Sequence, residues 1–336
     1  MTPNIALVAG DPAGIGPELL ARLLDDPAAL PDARYHLIAQ RVSLEAAARA
    51  AGVRFDPSRL PATAAAGQHR VTRVEWPGWD APEFAPATAG AANGAFMLEG
   101  LRLALDLARR GEADAICFAP LNKAALRAGG MTEEDELRWF ARVLRHDGPC
   151  GEFNVLEGLW TSRVTSHVAL KEVPALLTPA GVAEAIAMLH GALRLAGLAS
   201  PRIGVCGLNP HNGDHGNYGR EEIDVIAPGI ALAANRGVPA DGPYPADTIF
   251  VRAKGGSFDG VVTMYHDQGQ IAMKLMGFER GVTVQGGLPV VITTPAHGTA
   301  YDIVGRGVAN PQAMRNALAL AAKMGAQAAS HAGAVA

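Results

Sequence analysis

The stretch Val261-Val262-Thr263-Met264-Tyr265-His266-Asp267-Gln268-Gly269 constrains the fold most. Three β-forming residues run straight into a polar Tyr-His-Asp-Gln cluster and a glycine, the pattern of a buried strand with a polar carboxyl end. In open α/β sheets, that end is where ligands bind. Two other segments share the pattern. Ile203-Gly204-Val205-Cys206-Gly207-Leu208 runs into Asn209-Pro210-His211, and Arg163-Val164-Thr165-Ser166 runs into His167. A single histidine at a strand end is more often a structural hydrogen-bonding residue than a ligand. Three of them, each just after a short β-branched run, read as strand ends converging on one bound cation.

The rest of the chain alternates strand-like and helix-like segments. Asn4–Ala9 reads as a short buried strand that breaks at Gly10-Asp11-Pro12-Ala13-Gly14-Ile15-Gly16-Pro17-Glu18 and enters a helix near Pro17, a residue suited to a first helical turn. Strand, glycine-rich turn and helix bring backbone N–H groups close to an anion or cofactor. The motif is neither GxGxxG nor a P-loop, and a plain tight turn is the competing reading. Strand Tyr35–Ala39 and helix Ser43–Ala51 follow. Residues 53–95 are rich in Pro, Ala and Gly, with Trp76-Pro77-Gly78-Trp79 expected as a surface turn. An amphipathic helix over Phe96–Arg110 precedes a buried strand, Ala115–Ala119, which ends in polar Pro120-Leu121-Asn122-Lys123.

The acidic run Glu133-Glu134-Asp135-Glu136 opens a helix that reaches Leu144. Its carboxylates lie at the positive end of the helix dipole, so simple capping and a functional role are both open. A helix over Pro179–Leu198 carries His190, and another starts near Glu221. Pro243-Tyr244-Pro245-Ala246-Asp247-Thr248 precedes the central strand, which brings Asp247 close to the candidate cation site. Strands at Val282–Val284 and Val290–Thr293, the loop Ala296–Ala300 and a helix over Pro311–Ala328 close the chain. Strands and helices alternating from end to end imply a mostly parallel sheet with helices on both faces.

At 336 residues, two domains are expected. Apolar residues at 49% and charged residues at 18% describe an ordinary globular chain. A net charge of −4 with no basic block argues against nucleic acid as a partner. Cys117, Cys150 and Cys206 lack metal-type spacing and are expected to be reduced. No leader pattern opens the chain and no stretch has the length of a membrane span, so a cytoplasmic protein is expected.

Six motifs in order carry a resemblance: Gly10 to Glu18, Ala119-Pro120-Leu121-Asn122-Lys123, Asn209-Pro210-His211, Pro245-Ala246-Asp247-Thr248, Met264 to Gly269, and His297-Gly298-Thr299-Ala300. Over its whole length the chain resembles the 4-hydroxythreonine-4-phosphate dehydrogenase family, within a wider group that includes isocitrate and isopropylmalate dehydrogenases. The resemblance implies an α/β fold of two α/β/α domains flanking a cleft. It assigns 1–120 plus 280–336 to a cofactor-side domain and 121–279 to a central metal-binding and dimerisation domain. It also implies a homodimer with the active site at the interface. His167, His211 and His266 would hold a divalent cation; three imidazoles and an open position suit zinc, with magnesium, manganese or cobalt as alternatives. NAD or NADP would lie against Gly298, Thr299, Ala300, Asp302 and Asn310. Asp247, Asp267 and Lys274 are the candidate catalytic groups. The implied reaction is oxidation and decarboxylation of a 3-hydroxy acid, with the cation lowering the pKa of the substrate hydroxyl.

The chain departs from that family at the substrate. Phosphate-using members carry Gly-His-Thr-Glu where this chain has Asp135-Glu136-Leu137-Arg138, an asparagine at Thr283 and an arginine at Ile292. Losing donors while gaining carboxylate disfavours a phosphate dianion. Glu136, Leu137, Lys274, Thr283 and Ile292 are therefore the candidate substrate-contacting positions, and an unphosphorylated substrate is favoured, with 4-hydroxythreonine 4-phosphate as the alternative. A related branch that oxidises the cis-dihydrodiol of terephthalate also lacks the histidine-threonine pair and the arginine. A binding protein without turnover and a group-transfer enzyme of similar fold are the rivals. The intact histidine trio argues against the first and the adenosine-type loop against the second.

Overall fold

The computed structural model describes residues 2–63 and 69–335. The chain opens with β1 (Asn4–Val8), α1 (Gly16–Leu24), β2 (Arg34–Ile38), α2 (Arg41–Ala51) and β3 (Val71–Arg73). It continues through α3 (Ala91–Arg109), β4 (Ala115–Phe118), α4 (Lys123–Ala128) and α5 (Glu136–Leu144). A second group comprises β5 (Gly151–Leu156), β6 (Leu159–Arg163), α6 (Val173–Leu176), α7 (Pro179–Leu195), β7 (Ile203–Cys206) and α8 (Ala227–Asn235). It is completed by β8 (Asp241–Tyr244), α9 (Ala246–Lys254), β9 (Gly260–Thr263), α10 (His266–Gly277) and β10 (Val282–Gly286). The last elements are β11 (Val291–Pro295) and α11 (Gln312–Val335).

These elements form two units, residues 1–147 with 288–336, and residues 148–287. The division falls later than the 120/121 and 279/280 boundaries drawn from the sequence. Packing explains the difference. Ala125 and Leu126 of α4 and Trp139 and Phe140 of α5 bury in the same core as Met97, Leu98 and Leu101 of α3. Strand β10 pairs antiparallel with β5 over Val282 to Gly286.

In the first unit the strands run β3-β2-β1-β4-β11, and the pairings β1–β2, β1–β4, β4–β11 and β2–β3 are all parallel. The chain steps from β1 to β2 on one side and places β4 on the other. The order therefore reverses at β1, the switch point beside which such sheets bind ligands. Both faces of the strands are covered, so they read as continuous apolar runs. Ile5, Ala6 and Leu7 are fully buried.

In the second unit the order is β10-β5-β6-β9-β7-β8. Strands β6, β9, β7 and β8 are mutually parallel, while β5 is antiparallel to both β10 and β6. The β5–β6 connection is the two-residue turn Glu157-Gly158, both with positive φ (48° and 92°), the signature of a tight hairpin. Leu189 and Leu193 of α7 pack over Gly260 at the start of β9.

Trp76-Pro77-Gly78-Trp79 is not a surface turn. Pro77–Asp80 form a 3₁₀ turn that buries Trp79, and Gly78 lies under the Trp76 ring. Among the described residues no single helix is long and apolar enough to cross a membrane.

Candidate functional site

Strands β6, β9 and β7 are adjacent and parallel in the second unit, with Arg163 opposite Thr263 and Val205 opposite Val262. Their carboxyl ends therefore lie along one edge. His167, His266 and His211 follow those three ends in turn. The pairing extends past the strands: Val164 N donates to Thr263 O at 2.9 Å, and Thr165 N and Oγ1 both donate to Met264 O, at 3.1 and 2.8 Å. The His167 and His266 rings stand 5.8 Å apart, centroid to centroid.

Gln268 ties the other side together. Its Oε1 accepts from Met264 N at 2.7 Å and its Nε2 donates to Gly207 O at 2.8 Å. The loop that starts His266 is thus stitched to the loop that leads to His211. His266 Nδ1 lies 2.6 Å from Asp267 Oδ1, which orients the ring and leaves Nε2 for a ligand, the arrangement usual for metal-bound imidazoles. Three imidazole side chains following one common edge are a donor set that suits a divalent cation. The ring nitrogens of the three do not all lie within 4.8 Å of one another, and His167 and His211 are exposed side chains.

The segment carrying His211 has an unusual backbone. His211, Asn212, Gly213, Asp214 and His215 all have positive φ, between 43° and 74°. Four of these are not glycine, and at roughly 1 kcal/mol or more each the strain is on the order of 4 kcal/mol. Such a run persists only where surrounding contacts impose it, and it collects at functional sites.

Asp247 is exposed in the first turn of α9, just after β8, the neighbour of β7. Lys274 is exposed on α10. Thr283 accepts from Asn154 Nδ2 at 3.4 Å. It joins a network in which Asn154 Oδ1 receives Gln270 Nε2 (2.6 Å) and Arg163 Nη1 (3.1 Å). Arg163 also reaches Glu152 (2.7 Å) and Ser166 Oγ (2.9 Å), beside His167.

In the first unit, the loops after β1, β4 and β11 meet at the switch point. Gly10 has φ of 71°, and a Cβ there would lie 2.4 Å from Ala119 O, so the close approach of the first two loops requires glycine. Asp11 N donates to Pro120 O at 3.0 Å. The Asp11 carboxylate, fully buried, accepts from Tyr301 Oη (2.5 Å), Ala13 N (3.0 Å) and Asn93 Nδ2 (3.4 Å). Burial, together with the hydrogen bond to Asp11 and its charge, raises the Tyr301 pKa and keeps the phenol a donor.

Three further contacts fix the third loop. Ile15 N donates to Thr299 O (3.1 Å), Ala309 N donates to Glu18 Oε1 (2.8 Å), and Arg22 donates to Gly307 O. Ala300 is left-handed, Gly298 and Asp302 are exposed, and Asn310 Oδ1 caps the start of α11 by accepting from Gln312 N (3.0 Å). Beside them lies a cavity of about 100 Å³ lined by Gly14, Ile15, Ala46, Ala47, Phe84 and Val304.

The candidate substrate positions of this unit divide. Asp135 caps α5, accepting from Arg138 N at 2.8 Å, and Glu136 is mostly buried with Oε2 3.9 Å from Lys123 Nζ. Leu137 and Ile292 are corrected: at 1% and 0% exposure they are core residues, with Ile292 packed in the cluster of Met97, Ile116 and Phe118. Sequence reasoning missed Tyr301, Gln268 and Glu222 as organisers. Gln268 stood inside a quoted motif, and the Glu221-Glu222 pair after a glycine-rich loop was the available signal for the third.

The family described as pyridoxal phosphate biosynthetic protein PdxA matches residues 31–321. The chain is 55% identical over 327 residues to a Pseudomonas aeruginosa protein named "Putative 4-hydroxythreonine-4-phosphate dehydrogenase 2", covering 96% of this chain and 97% of that one. It is similar to the crystal structure of 4-hydroxythreonine-4-phosphate dehydrogenase from Klebsiella pneumoniae, with TM-score 0.82 and 33% identity, over 97% of this chain and 98% of that one. It is also similar to a terephthalate 1,2-cis-dihydrodiol dehydrogenase from Burkholderia xenovorans, with TM-score 0.67 and 26% identity, over 96% and 98% of the two chains.

Proposed function

The chain belongs to the pyridoxal phosphate biosynthetic protein PdxA family, whose named relatives are dehydrogenases, and from that premise we propose an NAD(P)-linked oxidation and decarboxylation of a 3-hydroxy acid at a divalent-cation site. The observation that carries this reading is the delivery of His167, His266 and His211 by three adjacent parallel strands to one edge. When bound, the cation supplies acidity to the substrate hydroxyl and an acceptor for charge as CO₂ leaves, and the nicotinamide supplies the hydride acceptor. Three imidazoles suit zinc, with magnesium, manganese and cobalt as alternatives. Asp267 fixes the tautomer and aim of His266. Asp247, beyond β8, and Lys274, on α10, are the groups proposed to move a proton and to receive a substrate anion.

The dinucleotide is assigned to the first unit. Gly298, Thr299, Ala300, Asp302 and Asn310 lie on a loop that Asp11, Glu18 and Arg22 hold in place, beside the small apolar cavity. A homodimer is part of the same proposal. Helix α10 begins at His266 and exposes Ile271 and Leu275 at 60% and 84%, one turn apart. A second copy covering that face would stand beside the cation site.

For the substrate, an unphosphorylated acid is the preferred reading. The start of α5, which a phosphate would otherwise occupy, is capped by the chain's own Asp135 and flanked by Glu133, Glu134 and Glu136. The phosphorylated alternative is favoured by the name of the 55%-identical relative. The test is reduced-nicotinamide formation and CO₂ release across paired phosphorylated and unphosphorylated hydroxy acids, with an aromatic cis-dihydrodiol. Preference for the unphosphorylated or dihydrodiol compounds is expected. Faster turnover of 4-hydroxythreonine 4-phosphate than of any of these would overturn the substrate reading. Absence of CO₂ from every substrate that is oxidised would overturn decarboxylation.

A further inference from the structure

The left-handed run around His211 has one buried template. Glu222 is only 3% exposed and opens a π-helical turn, Glu222–Ile226, just before α8. Its Oε1 accepts from Leu208 N and Asn209 N, both at 2.7 Å, and its Oε2 accepts from Asn209 Nδ2 at 3.0 Å. The backbone packs on the same carboxylate from both sides of His211. A Cβ on Gly207 would stand 3.1 Å from Oε1, and one on Gly213 would stand 2.8 Å from Oε2. The far side of the turn is pinned separately, by Asn212 Nδ2 donating to Pro243 O at 2.7 Å. A turn whose φ values are unfavourable residue by residue is thus wrapped around one carboxylate, and single-turn π-segments of this kind recur at functional sites.

We propose that Glu222 is the positioning residue that holds His211 toward the cation, an inference that rests on the cation site proposed above. The role is indirect: the carboxylate fixes the backbone on both sides of the ligand. Groups that orient a metal ligand from behind typically change metal affinity 10- to 100-fold when altered. Glu222→Gln keeps the volume but turns an amide N–H₂ toward N–H donors.

The test is Co²⁺ titration of the cation-free full chain, following the cobalt ligand-field absorption. It compares wild type, His211→Ala, Glu222→Gln, Asn209→Ala and the Glu222→Gln/His211→Ala double variant, with thermal unfolding of each cation-free protein as a fold check. Glu222→Gln is expected to bind Co²⁺ 10- to 100-fold more weakly, and Asn209→Ala several-fold more weakly. The double variant should bind no worse than His211→Ala alone, because residues acting through one ligand are not additive. Wild-type affinity in Glu222→Gln, or full additivity in the double variant, overturns the positioning role. Wild-type affinity in His211→Ala overturns the cation reading and this inference with it. Should Glu222→Gln fail to fold, Asn209→Ala decides: wild-type affinity there overturns the role.

Discussion

Replacing Tyr301 by phenylalanine should loosen the dinucleotide loop while leaving the cation site intact. Among the described residues, the phenol is one of three donors to Asp11, a carboxylate with no solvent exposure. A hydrogen bond to a charged acceptor contributes about 1.5–3 kcal/mol. The upper half of that range applies, because Asp11 stays buried with only Ala13 N and Asn93 Nδ2. In a domain of this size, a loss of about 2–3 kcal/mol lowers the melting temperature by roughly 5–10 °C. The loop keeps its contacts to Ile15 N, Glu18 and Arg22, so it still populates the competent position for part of the time. Dinucleotide affinity should therefore fall by only about two- to tenfold, the fraction of competent loop lost. Thermal unfolding by circular dichroism and calorimetric titration of NAD and NADP measure the two effects. A variant that melts within about 1 °C of wild type and binds dinucleotide equally would refute the claim that Asp11 anchors this loop.

Other outcomes follow from the same geometry. Ile292→Arg should cost more than about 4 kcal/mol and yield unfolded or insoluble protein, with no gain in phosphate affinity, because it places a guanidinium in the core beside Met97 and Phe118; a soluble variant with wild-type melting would contradict this placement. His297→Ala should raise the KM for dinucleotide several-fold at unchanged metal content, which steady-state kinetics and metal analysis check together. Burial holds the His36 imidazole below its ordinary pKa, against the opposing charge of Glu112. Below about pH 6.5 the unfolded chain then binds a proton that the folded one does not, so stability falls as pH falls. His36→Gln should remove up to about 1.4 kcal/mol per pH unit of that slope, read from urea unfolding at pH 5 to 7.

How much was legible in the sequence varied with the physics of each element. The ends of β7 and β9 were readable because apolar runs stop abruptly at polar clusters, whereas the run read over Arg163–Ser166 lies beyond β6, which ends at Arg163. Strand β8 was not, since Gly242 and Pro243 fall inside it; proline is tolerated there because β8 ends the strand order. Strand β5 alternates Glu152 and Asn154 with apolar neighbours, a weaker signal than the apolar runs around it. The contact between Asp11 and Tyr301 joins residues 290 positions apart, which no local pattern reports. Leu137 and Ile292 show a different limit. A position within a motif says which residue type is present, but the side chain's direction depends on packing, and α5 and β11 turn these two inward. The left-handed turn at His211 did have a compositional trace in Asn212, Gly213 and Asp214, residue types that tolerate positive φ.

The central claim is that one divalent cation is held by His167, His211 and His266. Metal analysis by mass spectrometry of protein purified without chelators tests it, on wild type and on each single alanine variant. The account predicts about one zinc or comparable divalent ion per chain in wild type and nearly none in each of the three variants. Retention of the wild-type metal content in all three variants would contradict it.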